Sequence, residues 1–367
     1  MKSIFLFIFL PFFITSVVFS QNIFEKNKSS PKGAELFCQN DNILDSVSLQ
    51  SIDSLKHQIK YIPETEFNYA DTRRYILVGG TPQIETKIKL VPSAIFAGTL
   101  TGLFILQHQM QMKTIWKDHS PHFRIQEDGP QELWLDKVGH VYGAYTSAYF
   151  LREGLIASGL SWKAANNWAA ILGVTYSTYV EILDGYGAHW GFSPSDWYAD
   201  IAGGIFFAAQ NYVPFLQNFS PKFLYVPSEW TGYTSRIPHD MFIDDYSSQF
   251  FFMSINVYNI LPDKWKKYYP EWLELSIGYT VRNILENLHP DRQHLVPCDE
   301  CVSWEPGYWG SPRLVIALDY NLAKLLPNGG NTWNWFKQTL NLFKLPSPAL
   351  EIGKVTRFYI VFPFKLY

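Results

Sequence analysis

The hydrophobic pattern predicts two structural halves. Four apolar segments of about 20 residues follow one another, at 93–112, 139–160, 162–183 and 196–216. Each has the length of a membrane-spanning helix. Charged or amide residues interrupt the last three, and a central charge disfavours insertion by about 2.5–3.5 kcal/mol. The pattern therefore predicts a compact four-helix core that lies against a membrane or is partly buried in it.

After about residue 220 the pattern changes to shorter, partly alternating segments rich in aromatic and β-branched residues. They occupy 250–259, 272–284, 313–322 and 357–365, and prolines separate them. Such segments predict β-strands. Four or five strands are fewer than the eight of the smallest outer-membrane barrels. The aromatic C-terminal segment is similar to the last strand of outer-membrane proteins, with an ordinary sheet strand as the alternative.

The fold class that follows is α+β, with an N-terminal four-helix, membrane-associated core followed by a small antiparallel β part. We expect a flexible polar leader at 21–73, the helical core at 74–220 and the β-rich part at 221–367. The leader contains too little apolar sequence for a core of its own.

The first 20 residues have the pattern of a secretory signal peptide. Lys2 precedes an apolar run at 4–19, and the small residue Ser20 precedes Gln21. This order predicts cleavage before Gln21 and export, with a retained membrane anchor as the alternative. There is no cysteine at the cleavage point, so no lipoprotein anchor is predicted.

Composition narrows the choice of partners. Charged residues make up 17% and aromatic residues 17% of the chain, against roughly 25% charged residues in an average domain. The aromatic content suits either a membrane surface or a large aromatic core. The net charge is -3 with no basic run, which argues against nucleic acid as a partner. We therefore expect a membrane or an envelope lipid as the partner.

Ionisable residues at helical spacing inside these apolar segments indicate a polar site. Residues three or four apart share one face of a helix. Three such pairs occur: Asp136 with His140, Glu181 with Asp184, and Asp196 with Asp200. Burying these groups without partners would be unfavourable. The candidate site therefore consists of Asp136, His140, Glu181, Asp184 and Asp200, with Asp196 as a further acid.

Three uses of this cluster remain open. His140 could act as a general base that Asp136 orients. The acids could instead hold a divalent cation, with four possible ligands: Glu181, Asp184, Asp196 and Asp200. The third use is a structural ion network that fixes helix packing. Ser193, followed by Pro194, also predicts the N-cap of the last helix.

Two cysteines form a C-x-x-C motif in the C-terminal half. Cys298 and Cys301 lie in a segment flanked by Pro297 and Pro306, which predicts a loop. In an exported protein this motif favours a disulfide or unpaired thiols. A metal site and redox catalysis are the alternatives.

The site residues stand in motifs that resemble those of a known family. The chain resembles the YfiM-like bacterial envelope proteins, a family of unknown function, in four segments. They are Trp134-Leu135-Asp136-Lys137-Val138-Gly139-His140, Glu181-Ile182-Leu183-Asp184-Gly185, Trp190-Gly191-Phe192-Ser193 and 196–203. A weaker similarity links the core to VanZ-like membrane proteins. In both patterns an Asn stands where this chain has Asp200, and the lipoprotein cysteine of some YfiM-like members is absent here. The resemblance implies an envelope location and a helical core but no activity.

These observations lead to two functional hypotheses. The first is a non-enzymatic envelope protein, associated with the outer membrane, whose polar cluster is structural or binds a small ligand or cation. The alternative is a membrane-linked hydrolase or transferase that acts on an envelope lipid or glycan, with His140 as general base. Apart from a possible divalent cation, no cofactor is predicted.

Overall fold

A computed structural model describes residues 59–188, 190–231, 245–284, 301–305 and 308–364. The predicted signal peptide at 1–20 lies outside the described residues, as does most of the predicted leader. Cys38, His189 and Cys298 also lie outside them. Cys301 is disulfide-bonded, which is one of the states that the C-x-x-C motif left open.

Each of the four apolar segments contains a helix. The helices are α1 Leu90–Gln111, α2 Leu135–Ala157, α3 Trp162–Asp184 and α4 Pro194–Ala209. Four shorter helices follow: α5 Val257–Ile260, α6 Asp263–Lys266, α7 Leu322–Leu325 and α8 Asn331–Thr339. The prediction that the last of the four long helices extends to residue 216 is wrong, since α4 ends at Ala209. Pro214 begins a separate 3-10 turn at Pro214–Asn218, and a proline disfavours helical geometry in the residue before it.

Helices α2, α3 and α4 pack closely because small residues stand where they meet. A Cβ atom at Gly203 would lie 2.3 Å from the carbonyl oxygen of Val141, and one at Gly173 would lie 3.2 Å from that of Ala144. Their apolar contacts are built from aromatic and alanine side chains, among them Tyr145, Ala148, Ala169 and Phe207.

Helix α1 lies at the edge of this group. Phe96 packs on α2 so closely that a Cβ atom at Gly154 would clash with its ring. Most of α1 is nevertheless exposed, including Leu90, Ile105 and Leu106. Within the described ranges, α1 is the only helix long and apolar enough to cross a membrane, and none of its apolar window is buried. The membrane-associated four-helix core as a whole therefore stays a prediction.

The second half forms an antiparallel sheet, which confirms the mixed α and β architecture. Its strands are β3 Phe219–Tyr225, β4 Gln249–Ile255, β5 Leu273–Arg282, β6 Val302–Glu305, β7 Tyr308–Tyr320, β8 Ala349–Ile352 and β9 Arg357–Tyr359. The spatial order is β3-β4-β5-β7-β8-β9, and β6 pairs with the start of β7. A small hairpin, β1 Asn68–Tyr69 and β2 Thr72–Arg73, precedes the helices.

The two faces of this sheet differ in an unusual way. The buried face combines an aromatic cluster around Phe250 and Phe252 with ion pairs. One pair joins Lys222 to Glu274 at 3.0 Å. The opposite face packs Phe251 against α2, but farther along it exposes apolar side chains to solvent: Ile277, Leu314, Ile316, Leu318 and Leu350.

Two predicted strands are too long. The strand expected at 250–259 ends at Ile255 because the Asn256 side chain caps α5, accepting a hydrogen bond from the Asn259 amide. The strand expected at 357–365 ends at Tyr359, and 360–364 contain no strand. Within the segment predicted as leader, Phe67 is buried against Trp162 of α3. The predicted domain boundaries stay a prediction.

Candidate functional site

Three helix termini meet at the candidate site. The first turns of α2 carry Asp136, Lys137 and His140, the last turn of α3 carries Glu181, and the first turns of α4 carry Asp196 and Asp200. As predicted, Ser193 caps α4 by accepting a hydrogen bond from the Asp196 amide at 3.3 Å. Before α2 the backbone turns through three left-handed residues at 132–134, a conformation that disfavours L-residues.

The imidazole of His140 lies at the centre of four carboxylates. Its Nδ1 atom is 3.2 Å from Asp200 Oδ1. Its Nε2 atom is 3.7 Å from Asp136 Oδ1, 3.7 Å from Asp196 Oδ1 and 3.9 Å from Glu181 Oε1. The imidazole side chain is 24% exposed, whereas Glu181 and Asp200 are buried. Solvent therefore reaches the site on its histidine side.

A lysine neutralises the side of the cluster nearest the start of α2. Lys137 Nζ is 2.5 Å from Asp196 Oδ1, 2.6 Å from Asp128 Oδ1 and 3.0 Å from Asp136 Oδ2. Five acids therefore lie within 4 Å of Lys137, of His140 or of both: Asp128, Asp136, Glu181, Asp196 and Asp200. Full ionisation of this set would leave an excess of negative charge.

Hydrogen bonds from Tyr246 and from the α4 cap residue Ser193 fix three of the acids. The Tyr246 hydroxyl donates to Asp136 at 2.7 Å, and the Ser193 amide donates to Glu181 at 3.1 Å. The Ser193 hydroxyl also donates to Asp128 at 2.6 Å. These bonds orient the carboxylates without supplying positive charge.

The acids stabilise both basic groups in their charged forms. Burial alone would lower the pKa of His140, but Asp136 and Asp200 raise it well above the usual value. Burial likewise opposes protonation of Lys137, and Asp136 and Asp196 outweigh it, so the lysine pKa is raised. The pKa of Asp136 is lowered because His140 and Lys137 outweigh its burial.

The remaining acids bind protons more readily than usual. Burial raises the pKa of Glu181 to about 9, that of Asp196 to about 7 and that of Asp184 to about 6. Burial also raises the pKa of Asp200. Repulsion between neighbouring carboxylates adds to the effect at Glu181 and Asp196. The excess of buried acids is therefore compensated by bound protons or by a further cation.

Two groups of side chains have the spacing of cation ligands among the described residues. One is Asp136, His140 and Asp196, and the other is His140, Glu181 and Asp200, with ligand atoms within 4.8 Å of one another in each group. Lys137 already lies beside the first group. The second group has no lysine ammonium within 4 Å of its acids. It is therefore the better candidate for a divalent ion.

The structure brings four of the five predicted acids together around the sixth predicted residue, His140. Asp184 lies apart: its carboxylate accepts a hydrogen bond from the Trp116 indole at 2.5 Å and is not within 4 Å of the imidazole. Asp200, not Asp136, makes the shortest contact with the imidazole. Sequence reasoning missed Asp128, which lies in a loop where no helical period marks it. It also missed Tyr246, which comes from the β-rich half.

Comparison with known proteins gives one match. Residues 126–212 match the family model described as predicted periplasmic lipoprotein (DUF2279). This match confirms the predicted family resemblance in that segment, and it confirms the predicted export to the cell envelope. The segment contains all members of the His140 cluster, which is His140, Lys137 and the five acids within 4 Å of them: Asp128, Asp136, Glu181, Asp196 and Asp200. The similarity to VanZ-like proteins is not among the matches. No curated protein and no solved structure matches the chain.

Proposed function

We propose that this exported protein is an outer-membrane-associated envelope protein whose helix core binds a divalent cation. The observation that carries the cation site is the convergence of His140, Glu181 and Asp200 from three helices on one partly accessible point. A nitrogen and two carboxylate oxygens form a donor set that suits manganese or zinc. Binding there would tie the ends of α2, α3 and α4 together.

The charge of the cluster supports this choice. A divalent ion beside Glu181 and Asp200 would replace bound protons and offset the repulsion between buried carboxylates. The ion would then stabilise a packing arrangement that the acids alone oppose. A purely structural network would need no ion, because protons could neutralise the acids instead.

The geometry supports the hydrolase alternative less well. A general base has to be unprotonated at the working pH, whereas the carboxylates around His140 raise its pKa well above the usual value. Both ring nitrogens also lie within 4 Å of carboxylate oxygens. His140 is therefore poorly suited to removing a proton from a substrate, and as a ligand it would coordinate a cation only when the cation displaces the ring proton.

Membrane association is supported by two exposed apolar features. Helix α1 has 22 residues, about 33 Å at 1.5 Å per residue, which matches the hydrocarbon core of a bilayer. The sheet exposes Ile277, Leu314 and Ile316 on one face and buries charged groups on the other. Apolar residues outward and polar residues inward are the alternation of strands in outer-membrane proteins.

The test of the cation site is a titration of chelator-treated protein with Mn²⁺ and Zn²⁺, followed by calorimetry and thermal unfolding. We expect saturable binding, and at 100 times the Kd a stabilisation of about 2.7 kcal/mol. Glu181→Gln keeps an oxygen that can accept the Ser193 amide but removes the anionic ligand. It should weaken binding at least tenfold.

Asp263→Asn is the matched control because it removes one acid whose side chain is 96% exposed. Its affinity should stay within a factor of two of the wild-type value. Absence of saturable binding at millimolar cation would refute the proposal. So would a Glu181→Gln protein that binds as tightly as the wild type, since that result would place the ion elsewhere.

A further inference from the structure

A second polar site lies where the helices meet the hairpin β1–β2 and the sheet. It is a cavity of about 90 Å³. The residues that line it include Tyr69, Arg74, Tyr145, Asn256, Glu274 and Gln338. No member of the His140 cluster lines it. One water needs about 10–15 Å³ by this measure, so the cavity has room for several waters or one small molecule.

Arg74 gives this cavity its charge. Its side chain is 93% buried, and within the described part of the chain it forms no salt bridge. Its guanidinium lies 4.3 Å from the ring centre of Tyr69 and 4.9 Å from that of Trp162. One side of the guanidinium also hydrogen-bonds the Tyr69 side chain, and the stacked arrangement leaves its other N–H groups available for a ligand in its plane.

The surroundings of Arg74 do not neutralise it. Burial lowers the pKa of Arg74 and the nearby Arg152 lowers it further, and the opposing effects of Tyr69, Tyr149 and Glu153 do not cancel this shift. Glu153 forms its salt bridge with Arg152, at 2.8 Å, and not with Arg74. An anion in the cavity would compensate a charge that the protein itself leaves buried.

Asn256 supplies an independent sign of a missing acceptor. It is 3% exposed and lines the same cavity. Its Oδ1 accepts the Asn259 amide, but its Nδ2 has no hydrogen-bond partner among the described residues. A buried donor without an acceptor is unfavourable. A ligand oxygen in the cavity would remove that cost.

The acid in the cavity wall does not oppose an anion. Glu274 accepts hydrogen bonds from Lys222 at 3.0 Å, Ser254 at 2.8 Å and Asn321 at 3.0 Å. Its charge is thus compensated within the sheet. We propose that the cavity binds a compact oxyanion, a phosphate or carboxylate group, through Arg74 and the Nδ2 donor of Asn256.

The experiment is a calorimetric titration of the full chain with sodium phosphate and with sodium acetate at constant ionic strength. We expect saturable binding of at least one anion and a loss of at least tenfold in affinity in Arg74→Gln. The neighbouring substitution Arg73→Gln removes the same charge, but that side chain is 42% exposed and pairs with Glu64. Its affinity should stay within twofold of the wild type.

A second variant keeps the test decisive if Arg74→Gln fails to fold. Asn256→Asp retains the oxygen that caps α5, removes the Nδ2 donor and adds a carboxylate to the cavity that Arg74 also lines, so the ligand-free protein should remain folded, which circular dichroism would verify. Anion affinity should again fall at least tenfold. Full affinity in this variant, or no saturable binding of either anion at 10 mM, would overturn the proposal.

Vesicles of phosphatidylglycerol distinguish the two sources of such a group. If the oxyanion belongs to a lipid, the vesicles should compete with phosphate for the cavity and lower the apparent phosphate affinity of the wild type at least tenfold. If it is a soluble molecule, the phosphate affinity should be the same with and without vesicles. Either result supports the site and identifies the form of its ligand.

Discussion

At the residue scale, the central feature is a set of charges that balance only in combination. Lys137 contacts three acids, and His140 lies near four. The basic groups keep Asp136 ionised, whereas Glu181 and Asp196 have raised pKa values. Removing one basic group should therefore have a larger effect than removing one acid.

Lys137→Met tests this balance. Loss of the ammonium leaves Asp128, Asp136 and Asp196 without their shared partner, and breaking a buried pair typically lowers stability by 3–5 kcal/mol. We expect a loss of about that size in chelator-treated protein, measured by denaturant unfolding. Added Mn²⁺ should restore part of it, because the first ligand group is then free to bind an ion. Lys163→Met, at an exposed position, should change stability by less than about 0.5 kcal/mol.

A second buried lysine gives a pH-dependent prediction. Burial lowers the pKa of Lys344 to about 8, although its ammonium lies 3.6 Å from Asp319. Between pH 8 and about 10.5 the unfolded chain binds a proton that the folded protein lacks, so stability rises with pH in that window. The gain is at most about 3 kcal/mol. It is measured as the wild-type free energy of unfolding minus that of Lys344→Met at each pH. A difference that stays flat or falls above pH 8 would contradict this explanation.

At the scale of elements, sequence predicted the helices better than the strands. The four long apolar segments each contain a helix. An apolar stretch of about 20 residues is too long for an ordinary strand, so it indicates a helix whatever packs against it in the folded protein. Strand β3 went unpredicted, with Pro221 inside it, and β8 has only four residues. These strands form because they pair with strands that are distant in the sequence, and a local hydrophobic pattern carries no information about such pairing.

The same contrast applies to the site. Asp136, His140, Glu181, Asp196 and Asp200 were predictable because three- and four-residue spacing places them on helix faces. Asp128 and Tyr246 were not, since each reaches the cluster from a loop or a short turn. The position of Asp184 beside Trp116 likewise depends on tertiary packing.

The packing of α2 against α4 gives a prediction with an internal control. Gly203→Ala would place a methyl group 2.3 Å from the carbonyl oxygen of Val141, which a backbone atom cannot easily avoid. We expect a loss of about 2 kcal/mol or more in the free energy of unfolding. Gly143→Ala, in α2, meets no atom within 4 Å and should stabilise the helix by about 0.5–1 kcal/mol. Equal effects of the two substitutions would show that the helices do not meet at Gly203.

At the scale of the whole molecule, several parts of the surface expose large apolar side chains that a water-soluble protein would usually bury. Helix α1, the outer side of α3 at Trp168 and Ile171, and the sheet face at Ile316 all expose large apolar side chains. Large exposed apolar areas mark surfaces that contact other molecules or a membrane. The buried ion pairs of the sheet lie on its opposite face. This distribution fits a protein that rests on lipid and keeps its charged sites away from it.

Ile105→Lys tests whether α1 enters the bilayer. Ile105 is 54% exposed, so the substitution should leave the fold intact in water, which circular dichroism would verify. A lysine is unfavourable by about 2.5–3.5 kcal/mol at the centre of a membrane helix and by less at Ile105, which lies in the last third of α1, so partitioning into liposomes in a flotation assay should fall at least tenfold. Thr114→Lys adds the same charge just beyond α1, where it can reach the aqueous interface, and should leave partitioning nearly unchanged. If both variants float like the wild type, α1 does not enter the membrane, and the apolar sheet face becomes the surface to vary next.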